Sequence, residues 1–252
     1  MRRLRRARTT ELAACIGALA LASLVFMLWP QLDLAISGLF YDPAHGFAAA
    51  HGGWRQAVYV GVPWLGRALG VALIVSLWCA RRSPRRVPPP VLRARWALLV
   101  TLALGVGAVV DGGLKSHWGR PRPHTVQQFG GTQVFARALS PSTQCRRNCS
   151  FVSGHAATGF ALMAVAMFAA PARRRRWWYI GWACGGFVGW VRIMQGGHFA
   201  SDVVFSGLVM WSLCLATRAV WLRRCALLSA RLRIGAAQTA IAARKATRTS
   251  SP

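Results

Sequence analysis

Six apolar runs, at about 12–29, 57–80, 96–113, 155–171, 177–193 and 203–221, leave this chain few folds to choose from. Roughly 20 apolar residues carry a helix across a bilayer, and only helices or closed barrels satisfy their own backbone groups inside it. The runs predict an all-α fold, a polytopic membrane helical bundle of about six transmembrane helices. Composition excludes the soluble alternative: 54% of the residues are hydrophobic and the mean hydropathy is +0.35. The first run is longer than the core of a typical signal peptide and no clear cleavage site follows it, so it reads as a retained helix.

A formal charge of +27 would suit a nucleic-acid binder, but the arginines do not form a patterned basic face. They stand in blocks at the ends of apolar runs: before the first run, between the second and third, at 173–176, and after the last. That distribution sets membrane topology, and no nucleic-acid partner is expected. Six spans with a cytoplasmic N-terminus place 23 of the 32 lysines and arginines inside and eight outside, leaving Arg67 within a span. The positive-inside rule therefore puts both termini in the cytoplasm. All six histidines and four of the five acidic residues then fall outside, and any chemistry belongs to that face. The chain divides into a basic N-terminus (1–11), a six-span domain (12–221) and a basic tail (222–252). The tail reads either as an amphipathic helix on an anionic leaflet or as a disordered segment. Arg67 is costly inside a span, and snorkelling or a bundle-facing position accounts for it most simply.

Three polar stretches lie at outer span ends. Lys115-Ser-His-Trp-Gly-Arg-Pro-Arg122-Pro concentrates cations, with Asp111 one helical turn earlier; lysine and arginine together can hold a phosphate from several directions, although headgroup anchoring needs the same residues. Ser153-Gly154-His155 opens the fourth run, where free amides and a histidine could meet an anion; a lone capping histidine would look alike. Arg192-Ile-Met-Gln-Gly-Gly-His198-Phe-Ala-Ser-Asp202 joins the last two runs. A carboxylate four residues after a histidine can hold one ring nitrogen and leave the other to attack. The bland alternative is a polar loop between two helices. Asp33, Asp42, Asp111 and Asp202 are scattered along the sequence and make no metal site, so no metal or other cofactor is expected.

In this order and at these span ends, Lys-x6-Arg-Pro, Ser-Gly-His and Arg-x5-His-x3-Asp resemble the three signature motifs of the type 2 phosphatidic acid phosphatase family. The likeness covers roughly 96–221. It implies a metal-independent membrane phosphatase acting on a lipid phosphate, related in its site to bacterial acid phosphatases and vanadium haloperoxidases. Carried over by residue, His198 is the nucleophile oriented by Asp202, and His155 protonates the leaving alkoxide. Lys115, Arg122 and Arg192 bind the phosphoryl oxygens, helped by Ser153 and the Gly154 amide. Val152 and Val191 depart from the proline and serine that many members carry there. The text around His155 and His198 looks like the bacterial branch that includes lipid A phosphatases, which implies a bacterial inner-membrane enzyme with a periplasmic site. Undecaprenyl pyrophosphate or phosphatidylglycerophosphate as substrate, or phosphotransfer to another acceptor, would use the same motifs. A transporter is the contrasting class, but no internal repeat is visible.

Cys145 and Cys149 share the polar loop before Ser153, and on an oxidising face they are expected to pair; two unpaired thiols are the alternative. The orientation is tested by alkaline-phosphatase fusions, active at 137 and inactive at 85 and 252. Activity at 85 with none at 137 would reverse it.

Overall fold

The computed structural model describes residues 2–47, 53–82 and 87–249, with side chains described from Thr9 to Leu227 except in those gaps and at 171. His51, Arg85 and the final residue 252, which bear on topology, lie outside the described residues. Residues 1–215 form one compact unit, and residues 216–252 form a second that is helical through Thr249. The site lies wholly in the first.

Every apolar run becomes helical. Helix α1 spans Arg2–Leu28, α2 Gln31–Gly38 and α3 Gly53–Arg82. Helix α4 (Pro89–Val100) continues as a π-helix, Thr101–Leu114, and ends in the short α5, Lys115–His117. Helices α6 (Gly154–Phe160) and α7 (Met163–Phe168) break the fourth run in two, and α8 (Pro171–Met194) and α9 (Ala200–Thr249) follow. Pro30 caps α2, while Pro88 precedes and Pro171 opens a helix where a missing N–H costs nothing.

Among the described residues, four stretches are long and apolar enough to cross a membrane: Thr9–Leu28, Gly53–Arg82, Pro89–His117 and Ala200–Leu227; α8, which carries the fifth run, is not one of them. The outward faces of α1 and α3 are correspondingly apolar and open, as at Leu21 and Leu65. The fourth run differs from the expectation of a span at 155–171. Gly154–Phe168 is only about 22 Å long at 1.5 Å per residue, short of a bilayer core of roughly 30 Å. The reason is its position: Ala156, Ala157, Phe160, Ala161, Met163, Ala164 and Ala166 are all buried, so protein and not lipid surrounds it. Helix α8 packs closely on it, and a Cβ on Gly159 would stand 2.8 Å from Gly185. Phe160 meets Trp182 edge-on at 5.2 Å beside a cluster of Trp178, Trp182 and Trp211.

Successive long helices alternate in direction, so their ends gather in two groups. One end holds Arg81, Arg82 and the ion pair of Arg174 with Glu11. The other gathers the end of α1 and α2, the starts of α3, α6 and α9, and the ends of α5 and α8, where all three motifs lie.

Candidate active site

Three glycine-bearing loops set the site. Gly119, with φ +66°, turns the chain after α5; its carbonyl accepts the Cys145 amide at 3.0 Å, and a Cβ there would overlap the Ser142 carbonyl. Gly154 begins α6 so close to the basic group that a Cβ would stand 2.8 Å from Lys115 Nζ. A Cβ on Gly197 would strike the Arg192 guanidinium at 2.2 Å. A disulfide joins Cys145 to Cys149, whose Cα atoms are 5.6 Å apart, and closes the loop that carries Asn148.

His198 is fully buried. Its Nδ1–H donates to the Ser150 carbonyl at 2.7 Å, since a carbonyl can only accept, and this leaves Nε2 with its lone pair and no hydrogen-bond partner. Burial holds its pKa well below the ordinary histidine value, and the charges of Arg122, Arg192, Lys115 and His155 push it the same way. Burial and those charges therefore all favour the uncharged imidazole.

Asp202 does not hold His198 directly, contrary to the reading from spacing: its Oδ2 lies 3.7 Å from Nδ1, beyond a hydrogen bond. Instead it accepts from Ser150 Oγ at 2.5 Å, the Phe199 amide at 2.8 Å and Arg120 Nη1 at 2.5 Å. The carboxylate thus fixes Ser150, and the Ser150 carbonyl fixes the ring.

Arg120, which the sequence places among surface cations, is fully buried. Its Nη1 also donates to Ser201 Oγ at 2.8 Å, Nη2 to Asp33 at 2.8 Å and Nε to the Ala136 carbonyl at 2.9 Å, with the Phe199 ring 4.5 Å from the guanidinium carbon. Asp33 accepts in turn from the amide and hydroxyl of Ser201. Burial pushes the Asp33 carboxyl above its ordinary range, against the pull of Arg120, and Asp202 adds to the push. Two of the four carboxylates scattered in sequence thus converge on one guanidinium. Only weak signals mark this pair in the sequence: an arginine two residues before the motif arginine, and one of two acids after the first span.

The motif cations surround this core. Lys115 pairs with Asp111 at 3.1 Å, as the one-turn spacing suggests. Arg122 donates through Nε and Nη2 to the Asn148 carbonyl and through Nη2 to its side-chain oxygen. Arg192 donates to Gln195 Oε1 at 2.5 Å and lies over the Tyr59 ring at 4.4 Å, and its buried Nε has no partner. Apart from Lys115, these charges are held by neutral groups, which leaves them available to an anion. Ser153 caps α6 by accepting the Ala156 amide, which leaves its hydroxyl proton free to donate, and Gly154 follows in the first turn.

His155 stacks on Tyr59 with centroids 5.0 Å apart, and its Nε2–H donates to the Tyr59 carbonyl at 3.1 Å. That carbonyl is available because its helical partner four residues on is Pro63, which has no N–H. Nδ1 of His155 is left for proton transfer. No group of three or more His, Cys, Asp or Glu side chains that could hold a metal ion occurs among the described residues.

Residues 94–225, over half the chain, match the PAP2 superfamily. The chain belongs to that superfamily. It is 35% identical over 195 residues to the lipid A 4'-phosphatase of Francisella tularensis subsp. novicida (strain U112), covering 75% of this chain and 86% of that protein. It is 31% identical over 214 residues to the lipid A 4'-phosphatase of Rhizobium leguminosarum, covering 76% and 89%. A protein of the same name from Rhizobium etli is 30% identical over 214 residues, covering 76% and 81%. No solved structure matches the chain significantly. At the two positions where this PAP2 protein departs from the common motif, Val152 and Val191 are fully buried and serve packing.

Replacing Arg120 by methionine leaves two carboxylates buried without their cation. The expected cost is about 3–5 kcal/mol of stability, the usual result of removing one partner of a buried pair. Thermal unfolding in detergent measures it, and adding Asp33→Asn should recover part of the loss. An Arg120→Met protein that melts like the wild type would show that the network does not hold the fold.

Proposed function

We propose that this protein is a membrane lipid phosphatase that removes a phosphate group from lipid A, the 4'-phosphate being favoured by the names of its relatives. It works at the periplasmic face of a bacterial inner membrane, an orientation supported by the arginine distribution. The observation that carries the reaction is the unpartnered Nε2 of a buried His198 whose protonation Lys115, Arg122 and Arg192 all disfavour.

Those cations, with the Ser153 hydroxyl and the Gly154 amide, hold the phosphoryl oxygens and stabilise the charge that spreads over them in the transition state. The Nε2 lone pair attacks phosphorus as the bond to the lipid oxygen breaks, giving a phosphohistidine. His155 acts as the acid in its imidazolium form: burial, Arg192, Lys115 and Arg122 hold its pKa down to about 4, and the negative charge of the phosphate offsets those cations. The ring, anchored through Nε2–H to the Tyr59 carbonyl, gives its second proton from Nδ1 to the departing alkoxide and is left neutral. Water then attacks the phosphohistidine, His155 takes the proton, and inorganic phosphate leaves. No step needs a metal ion.

Phosphate release from lipid A, undecaprenyl pyrophosphate, phosphatidic acid and phosphatidylglycerophosphate by purified protein tests the substrate, with lipid A expected to be turned over best. Hydrolysis of another member with none of lipid A would replace this assignment. His198→Ala should abolish turnover and any covalent phosphoenzyme. His155→Ala should slow turnover by roughly 10² to 10⁴-fold, the usual size of general acid catalysis, and less with a nitrophenyl leaving group. Near-normal turnover by His198→Ala would discard the nucleophile.

The proline in α3 gives a separate expectation. Pro63→Ala restores an N–H that competes for the Tyr59 carbonyl, so kcat should fall about fivefold, the worth of roughly one hydrogen bond. Loss confined to slow leaving groups would mark the effect as acting through His155. An equal loss on nitrophenyl phosphate would assign it to general distortion.

A further inference from the structure

Pro63, Gly66, Arg67 and Gly70 share one face of α3, at the i, i+3, i+4, i+7 spacing, and that face lines a cavity of about 750 Å³. Leu102 and Val106 of the π-helix form the opposite wall, and Lys115, Gly154 and His155 close the end nearest the site. The walls are mostly apolar, and at Gly70 the space is open, since a Cβ there would have nothing within 4 Å, whereas at Gly66 a Cβ would stand 2.9 Å from Thr158, itself a wall residue. His155 is the group that serves the leaving alcohol, so the cavity begins where the lipid part of a substrate must go.

Arg67 is out of place in such a wall. It lies within the span Gly53–Arg82, its side chain is exposed, and its guanidinium carbon is 5.1 Å from the centre of the Trp64 ring. Among the described residues no carboxylate forms an ion pair with it; the one acid lining the cavity, Asp111, is engaged by Lys115. Eight residues separate Tyr59, which stacks on His155, from Arg67, so its Cα is about 12 Å deeper at 1.5 Å per residue. Helical side chains tilt toward the N-terminus, which in α3 is the site end, and the contact with Trp64 one turn back follows that direction. The guanidinium therefore lies on the site side of its own Cα.

We propose that Arg67 binds the carbonyl oxygens at the heads of the substrate's acyl chains. An acylated lipid phosphate places its ester or amide carbonyls just below the phosphate-bearing headgroup, at the start of the apolar chains. They are strong acceptors, and a cation surrounded by apolar walls gains more from them than it would in water. A chain seated against Gly70 brings its first carbonyl to the level of Arg67, one turn nearer the site. The lipid then offers two polar points of recognition, the phosphate at Lys115, Arg122 and Arg192 and the carbonyl at Arg67.

The proposal rests on the reading of the protein as a lipid phosphatase, and the experiment separates the two. Steady-state kinetics use whichever acylated lipid phosphate of the panel the wild type hydrolyses, so a wrong substrate assignment appears as a different wild-type preference. Arg67→Leu should lower kcat/KM on that substrate about ten- to a hundredfold, the effect of losing one hydrogen bond from a charged group, with Arg67→Lys partly restoring it. The inhibition constant of inorganic phosphate, which reaches only the upper site, should be unchanged. On an ether-linked lipid phosphate, which has no carbonyl, the Arg67→Leu loss should largely disappear. A variant-to-wild-type ratio near one on the acylated lipid, an equal loss on the ether-linked lipid, or a weakened phosphate inhibition would each overturn the role.

Discussion

The guanidinium of Arg120 between Asp33 and Asp202 is the interaction on which the rest of the site depends. It joins three pieces of chain remote in sequence: the short helix after the first span, the loop after α5 and the start of α9. Four hydrogen bonds from one planar group fix those pieces in angle as well as in distance, which a lysine could not do. Because Asp202 also accepts from Ser150, and the Ser150 carbonyl accepts from His198, the aim of the imidazole is set by a chain of contacts that begins at Arg120. Removing the guanidinium would leave two buried negative charges together, so the network is stable only when complete.

Around that balanced core the protein keeps an unbalanced shell. Arg122 and Arg192 are held by a backbone carbonyl, amide oxygens and an aromatic face, and none of these cancels a positive charge. The arrangement is self-repelling until an anion enters, and it also works against protonation of His198. One set of charges therefore binds the phosphate and preserves the lone pair that attacks it. Stability is given up for function here, as expected where a local rule of charge pairing is broken at a site.

How far this was legible in the sequence differs residue by residue. Lys115, Arg122, His155, Arg192 and His198 could be read because each sits in a short motif at the end of an apolar run. Asp33 could not be connected with Arg120, since 87 positions separate them and no local pattern marks a partner so distant. The i, i+4 spacing of His198 and Asp202 misled because α9 starts only at Ala200, so the two residues do not share a helix face. Asp202 turns back onto the Phe199 amide at the helix start, and the contact with His198 passes to a backbone carbonyl, which leaves no mark in a sequence. Apolar runs likewise revealed the helices but not what covers them. The run opening at His155 is shorter than a span because protein surrounds it, and composition cannot distinguish a lipid neighbour from a protein one.

The histidine that serves the leaving group shows how the bilayer acts as a constraint that the site exploits. Inside hydrocarbon a backbone carbonyl without a donor is costly, so a proline within a membrane helix creates a need that a neighbouring group must meet. Pro63 creates that need at Tyr59, and His155 meets it. In doing so the ring commits its Nε2 proton to the backbone and lies flat on the Tyr59 side chain, whose other neighbour is Arg192. One helix defect thereby fixes which nitrogen is anchored, the ring plane, and Nδ1 as the nitrogen that gives and takes the proton. An unbroken α3 would satisfy its own carbonyl, and the histidine would have to be oriented by some other group.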